Sequence, residues 1–188
     1  DDRELTGWFT EDFPLAEIRT LPARERLPFR SHEYDGRFLV PTFDEVVDLA
    51  ARQSRAIGRE IAVYPETKHP TYFRSIGLPL EERLVAALEK HGLTAKTSPV
   101  FIQSFEPSSL QRLRPLTHVR LMQLLDVGVD ASPARLSEIA TYANGVGPNK
   151  LLVIPVDVQG RLGAPTSLIR DAHAAGLFVH VWTMRREW

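Results

Sequence analysis

The chain has 188 residues, a formal net charge of −1 and no cysteine, and its length favours a single domain with a substantial core. The near-neutral charge predicts no nucleic-acid partner and no anionic-membrane partner, and no apolar run reaches the roughly 18–20 residues of a membrane span. Because cysteine is absent, disulfides, thiolate catalysis and cysteine-ligated zinc are excluded.

The first 40 residues have no regular hydrophobic period, and they carry proline, glycine and charged residues around aromatic side chains. They predict an irregular, insertion-like segment with one short helix near residues 14–21. Long segments without regular structure are commonly functional lids or insertions. We therefore expect residues 41–188 to carry the repeating structure of the domain.

From residue 41 onward, apolar residues recur at helical spacing, and capping residues, prolines and glycines mark the element ends. The predicted helices cover residues 42–56, 79–92, 107–114, 132–143 and 165–176. Short apolar runs predict strands at residues 60–66, 99–105, 120–125, 145–148 and 177–183. This alternation, with strands that are apolar throughout, is typical of a parallel sheet covered by helices.

Two α/β architectures fit this pattern, an open doubly wound sheet and a closed (β/α)8 barrel. No glycine-rich phosphate loop follows any predicted strand, so the dinucleotide-binding fingerprint is absent. A barrel requires eight strands and about 250 residues, whereas the sequence predicts about five strands. As a barrel, the chain is therefore expected to be incomplete.

In both architectures, the chemistry gathers at the carboxyl ends of the strands. Glu66 and Lys68 lie at such an end, in the segment YPETKHPTY, and their spacing directs both side chains to the same side of an extended backbone. A carboxylate suits a hard divalent cation, and an ammonium group can bind phosphate. A structural ion pair between the two is the alternative.

Other predicted strand ends supply an amide and two aromatic side chains, which are Gln103, Phe105 and Trp182. They would line the same pocket, and packing in the core is the alternative role for each. Among the six histidines, His69 alone lies near the charged pair in sequence, and no two have the i, i+4 spacing of a helical metal site. No Gly-x-Ser-x-Gly motif supports a serine hydrolase.

Six stretches follow one another along the chain: LTGWFTEDFPLAEIRTLPARERLPFRS, DGRFLVPTFDEVVDLA, YPETKHPTYF, FIQSFEPSSLQRLR, ATYANGVGPNK and HVWTMRRE. Together they resemble the glycerophosphodiester phosphodiesterase family, in particular its bacterial glycerophosphoryl diester phosphodiesterase branch with the long insertion. The resemblance covers nearly the whole chain. Its Pro-Glu-x-Lys, Gln-Ser-Phe and Trp-Thr elements are specific as a set rather than singly.

The resemblance implies a TIM-type (β/α)8 barrel and metal-dependent hydrolysis of glycerophosphodiesters to an alcohol and sn-glycerol 3-phosphate. It implies that Glu66 binds a divalent cation, Ca²⁺ or Mg²⁺, and that Lys68 contacts the phosphate of the small-molecule substrate. The residues implied to line the pocket are Gln103, Phe105 and Trp182. A periplasmic or secreted location is implied too, with a cytoplasmic one as the alternative.

The sequence departs from the family pattern near both ends. The family's His-Arg-Gly motif, Glu-x-Asp metal pair and second catalytic histidine precede the stretch matched from residue 5, and its last strands follow HVWTMRRE. We therefore expect an incomplete barrel without the N-terminal and last strands, no catalytic histidine, and no hydrolysis by these 188 residues alone. The alternative is a truncated or degenerate copy that binds phosphodiesters or metal without catalysis.

Overall fold

The computed structural model describes residues 6–185 of the chain. The chain divides into two compact units, Asp1–Leu49 and Ala50–Trp188. The prediction of one domain, with residues 1–40 as an insertion-like segment, stays a prediction. Among residues 6–185, no helix has both the length and the apolar character that crossing a membrane requires.

The first unit has little regular structure. It contains a 3₁₀ turn at Thr10–Asp12 and helix α1 at Leu15–Ile18, which confirms the predicted short helix. Helix α2, Phe43–Ile57, begins in this unit and ends in the second. Its start is a capping box, because the Thr42 N–H donates to the Glu45 carboxylate at 2.8 Å and the Glu45 N–H donates to the Thr42 hydroxyl at 3.3 Å.

The second unit alternates strands with helices. Its helices are α3 (Pro70–Ser75), α4 (Leu80–Lys90), α5 (Pro107–Leu113), α6 (Pro133–Ile139), α7 (Lys150–Val153) and α8 (Leu168–Ala174). Its strands are β1 (Phe101–Ser104), β2 (Arg120–Leu125), β3 (Gly145–Pro148) and β4 (Phe178–Val179). The sequence did not predict α3 and α7, because helices this short present no repeating apolar stripe.

The strands form one parallel sheet in the order β1-β2-β3-β4. Residues 63–66 continue this order before β1, through parallel bridges from Val63 to Val100 and from Glu66 to Gln103. A doubly wound sheet reverses its strand order at a switch point, and the described strands show no reversal. The sheet is therefore an arc of a TIM-type (β/α)8 barrel, and the predicted incomplete barrel is confirmed.

The core lies between this arc and the helices that cover it. Among the described residues, side chains with no exposed surface come from β1, β2, β3 and four helices, and they include Ile102, Leu121, Val146, Leu88, Leu110, Leu113, Leu136, Ile139 and Ala172. Their burial fixes the strand register, since a slip of one residue would turn each apolar side chain to the opposite face. The same register sets which side chains meet where the strands end.

Candidate functional site

Glu66, Lys68 and Phe105 line one cavity of about 340 Å³ at the carboxyl ends of β1 and of the segment before it. The remaining lining residues are Thr67, His69, Pro70, Ser104 and Glu106. The parallel bridge between Glu66 and Gln103 explains why these side chains line the same cavity. Two residues further along, it sets Lys68 opposite Phe105. The structure thus brings together three of the five residues that the sequence singled out.

Glu66 is half-buried, and its Oε1 atom is buried without a hydrogen-bond partner in the described part of the chain. Lys68 is exposed, and no ion pair joins the two side chains among residues 6–185. A buried carboxylate oxygen that lacks a partner is costly. It is therefore available to a cation, and the alternative of a structural ion pair finds no support in the geometry.

The loop that carries Lys68 is fastened to the end of β1 and to α5. The buried Thr67 hydroxyl lies 3.0 Å from that of Ser109, and the Ser104 hydroxyl donates to the Thr67 carbonyl at 3.1 Å. The Glu106 carboxylate accepts from the Thr71 N–H at 3.1 Å. These contacts fix the backbone on both sides of Lys68.

His69, which follows Lys68, has a left-handed backbone with φ of 48° and ψ of 45°. Within residues 6–185 it is the one non-glycine residue with positive φ. This conformation costs such a residue about 1–2 kcal/mol, and it persists where neighbouring contacts over-determine it. The turn at His69 directs the chain from the cavity into α3.

Trp182 reaches the cavity through Phe105. The two rings meet edge to face with centroids 5.6 Å apart, and the Trp182 Nε1–H donates to the Gly147 carbonyl at 2.7 Å. A side chain at position 147 would not fit this arrangement freely, since a Cβ there would lie 2.7 Å from Leu124 Cδ2. The same Cβ would lie 3.7 Å from the Trp182 ring, an ordinary contact, so Gly147 makes room for the Leu124 side chain rather than for the indole.

Gln103 is half-buried and is not among the residues that line the cavity. Its backbone does contribute, because its carbonyl accepts from the Thr67 N–H at 3.1 Å and its N–H donates to the Pro65 carbonyl at 2.9 Å. Through these two backbone hydrogen bonds, Gln103 of β1 holds the segment that carries Glu66. Its predicted contact with substrate stays a prediction, as do the roles of the other four residues.

Gln123 is a buried residue of β2 whose side chain bonds to the backbone of the site. The sequence placed it at a strand end, as one of several possible pocket residues, and did not predict this supporting role. Its Nε2 donates to the Phe105 carbonyl at 2.9 Å, and its Oε1 accepts from the Tyr142 hydroxyl at 3.1 Å. An amide inside the apolar run RLMQLL is a signal that could have identified it, since a buried amide requires partners.

Further down the strands, towards their amino ends, an aromatic cluster surrounds Phe101. The Tyr64 ring stacks on it at 5.3 Å and His180 lies at 5.1 Å, while the Arg120 guanidinium sits 3.9 Å from the ring centroid. Burial, and after it the charge of Arg120, lowers the pKa of His180. Tyr64 and His180 remain exposed, so these rings pack against one another on an open face of the sheet.

Residues 2–187 match the model of the "Glycerophosphoryl diester phosphodiesterase family". The chain is similar to glycerophosphodiester phosphodiesterase GDPD6 of Arabidopsis thaliana, with 34% identity over 97% of this chain and 54% of the relative. It is also similar to the glycerophosphodiester phosphodiesterase of Bacillus subtilis, with 33% identity over 96% of this chain and 57% of that relative.

Among solved structures, the fold is similar to a protein of Agrobacterium tumefaciens assigned as a glycerophosphoryl diester phosphodiesterase. The TM-score is 0.59 at 21% identity, over 91% of this chain and 59% of that one. At this identity the likeness concerns the fold alone. The chain spans between half and three fifths of the length of these three proteins.

Proposed function

The chain belongs to the glycerophosphoryl diester phosphodiesterase family, and on that premise we propose that its cavity serves the hydrolysis of glycerophosphodiesters to an alcohol and sn-glycerol 3-phosphate. The observation that carries the proposal is the partnerless Oε1 atom of Glu66 in the cavity that Lys68 also lines. The Glu66 carboxylate can bind a cation in this cavity, and the Lys68 ammonium group can bind an anion.

A divalent cation, Ca²⁺ or Mg²⁺, fits Glu66 by the chemistry of its donor, because both ions prefer carboxylate oxygens. Among residues 6–185, no group of three or more histidine, aspartate or glutamate side chains could hold a metal ion. Glu66 would therefore supply one ligand, and the proposal requires further ligands from beyond the described residues. When bound, such an ion polarises the phosphoryl oxygen and lowers the pKa of a bound water.

Lys68 acts on the phosphodiester itself in this proposal. Its ammonium group would offset the negative charge that grows on the phosphoryl oxygens as water adds to phosphorus and the alcohol oxygen departs. The contacts of Thr67 and Thr71 hold the backbone from which this side chain extends. The proposal assigns the proton transfers to none of the described residues.

Phe105 and Trp182 would form the apolar wall of the pocket. Their edge-to-face contact, together with the hydrogen bond from Trp182 to the Gly147 carbonyl, holds both rings in one orientation. Phe105 itself is exposed, so one ring is open to a bound molecule. We propose that this wall meets the carbon skeleton of the substrate.

The test is the release of sn-glycerol 3-phosphate from glycerophosphocholine by the whole protein in which these residues occur. We expect release that a chelator abolishes and added Ca²⁺ or Mg²⁺ restores, with loss in Glu66→Gln and a fall of about 100-fold in kcat for Lys68→Gln. Glu60→Gln, an exposed carboxylate of the same unit, is the matched control. Activity that is indifferent to Glu66→Gln would contradict the proposal.

The second candidate function is binding without hydrolysis. It is favoured by the incomplete set of metal-binding side chains in the described part of the chain. Calorimetry with glycerophosphocholine separates the two candidates. Binding that depends on Lys68, with no product released at any cation concentration, supports the binding module and overturns the hydrolase.

A further inference from the structure

A second cavity lies at the opposite end of the strands from the candidate site. It measures about 470 Å³ and is lined by Ala95, Lys96, Arg114, His118 and Asn144. These residues precede the first residues of β1, β2 and β3, so they gather at the amino-terminal ends of the strands. The cavity with Glu66 lies at the carboxyl ends, and the two cavities share no residue.

The lining of this second cavity carries basic side chains and no carboxylate. The half-buried Arg114 is held by three hydrogen bonds to neutral oxygens: Nη1 donates to Asn144 Oδ1 at 3.1 Å, and Nη2 donates to the carbonyls of Thr117 at 3.0 Å and Val119 at 3.3 Å. Burial lowers the pKa of Arg114. A cation withdrawn from water without a counter-charge is costly, and an anion would offset that cost.

The Arg114 side chain is held in place, yet some of its N–H groups have no acceptor in the described part of the chain. A guanidinium group has five N–H donors, and the three bonds to Asn144, Thr117 and Val119 leave two of them. Lys96 and His118 line the same cavity, and both are exposed. In residues 6–185 neither side chain has an ion-pair partner. The cavity therefore combines two mobile side chains, Lys96 and His118, with the fixed guanidinium group of Arg114.

We propose that this second cavity binds a small phosphate-bearing anion, at a site distinct from the one at Glu66. Arginine and lysine together suit a phosphate group, since one offers a planar fork and the other a point charge. The volume lies within the range of about 300–1,000 Å³ for small-molecule sites. It therefore accommodates a phosphate with a small organic group attached. The inference does not depend on the proposed hydrolysis.

The test is isothermal titration calorimetry of the full chain with inorganic phosphate, at an ionic strength held constant with potassium chloride. The double variant Lys96→Gln/His118→Gln removes the two exposed donors and leaves Arg114 in its structural place. We expect the Kd at this site to rise about tenfold or more, as the loss of one charge-assisted hydrogen bond implies. Titration with sn-glycerol 3-phosphate distinguishes free phosphate from a phosphate ester as the better ligand.

Two further variants separate this site from other sources of binding. Lys68→Gln removes the donor of the candidate active site, so binding that survives in Lys68→Gln and weakens in the double variant supports the second site, even if the proposed function fails. Arg83→Gln removes an exposed positive charge of α4 outside the cavity. No phosphate binding by the native chain, equal binding by the double variant, or an equal loss in Arg83→Gln would overturn the inference.

Discussion

The Glu106 carboxylate accepts one hydrogen bond from the Thr71 N–H at 3.1 Å and a second from the Thr71 hydroxyl. Glu106 follows β1, and Thr71 lies in the first turn of α3, 35 residues earlier in the chain. This contact closes the loop that carries Lys68 and His69. The position of Lys68, which is proposed to bind the phosphate, thus depends on a carboxylate outside the loop.

Glu106→Ala is expected to loosen that loop and to lower the free energy of unfolding by about 1 kcal/mol, because two hydrogen bonds to a charged acceptor are lost in a partly solvated place. Urea unfolding measures the stability, and amide hydrogen exchange of residues 67–71 measures the local opening. Ser108→Ala, an exposed change on the neighbouring helix, is the control. Unaltered exchange in Glu106→Ala would show that the loop is held by other contacts.

Glu66→Gln is expected to separate cation binding from folding. Without divalent cation, the variant should be as stable as the native chain or more so, since a half-buried charge with a partnerless oxygen has been removed. With cation at about 100 times its Kd, the whole protein that contains these residues should gain about 2.7 kcal/mol in its free energy of unfolding, and its Glu66→Gln variant should not. Thermal unfolding with and without Ca²⁺ measures this, and an equal gain in both proteins would place the cation elsewhere.

The glycines of β3 should differ in their tolerance of a methyl group. A Cβ at Gly145 would lie 2.6 Å from the Phe178 carbonyl oxygen, a backbone atom, whereas one at Gly147 would chiefly meet the end of the Leu124 side chain at 2.7 Å. We expect Gly145→Ala to lower stability by about 1–3 kcal/mol and Gly147→Ala by less. Gly7→Ala, with no atom within 4 Å, is the control for chemical denaturation.

Gln123→Leu is expected to cost about 1–3 kcal/mol, because it leaves the Phe105 carbonyl and the Tyr142 hydroxyl without their buried partner. Adding Tyr142→Phe removes one of the orphaned groups and should recover part of the loss. A double-mutant cycle by urea unfolding measures the coupling. Strictly additive losses would mean that the two side chains do not act together.

The pair of Arg19 and Glu45 should make the stability of the first unit depend on pH. Hydrogen bonds from Arg19, then from the Thr42 backbone, lower the pKa of Glu45 from 4.5 to about 2. The folded state therefore favours the ionised form, so the contribution is present above pH 4.5 and is lost as pH falls towards 2.

Thermal unfolding of the native chain and of Glu45→Gln measures this effect. The difference in unfolding temperature between the two proteins should be small, since the side chains of Arg19 and Glu45 are both exposed. This difference should disappear as the pH falls from 4.5 to 2, and it should become smaller in high salt. A gap that widens on acidification would contradict the assignment.

Local pattern alone determined the main elements of this protein. The apolar stripes and caps predicted α2, α4 and α5, and short apolar runs predicted the strands, because both patterns are properties of neighbouring residues. The two-residue period of a strand placed Glu66 and Lys68 on one side of the backbone and so indicated a shared cavity. The barrel and the chemistry were expected from the resemblance of six sequence stretches to a known family.

Only the tertiary structure decided how distant segments meet. Strand order in the sheet distinguished a barrel arc from a doubly wound sheet, and it is a matter of pairing between segments that the local periods do not encode. Glu106 with Thr71, and Arg114 with Asn144, are contacts across 35 and 30 residues. Short helices such as α3 form because such contacts hold them, since isolated helices of this length are unstable in water.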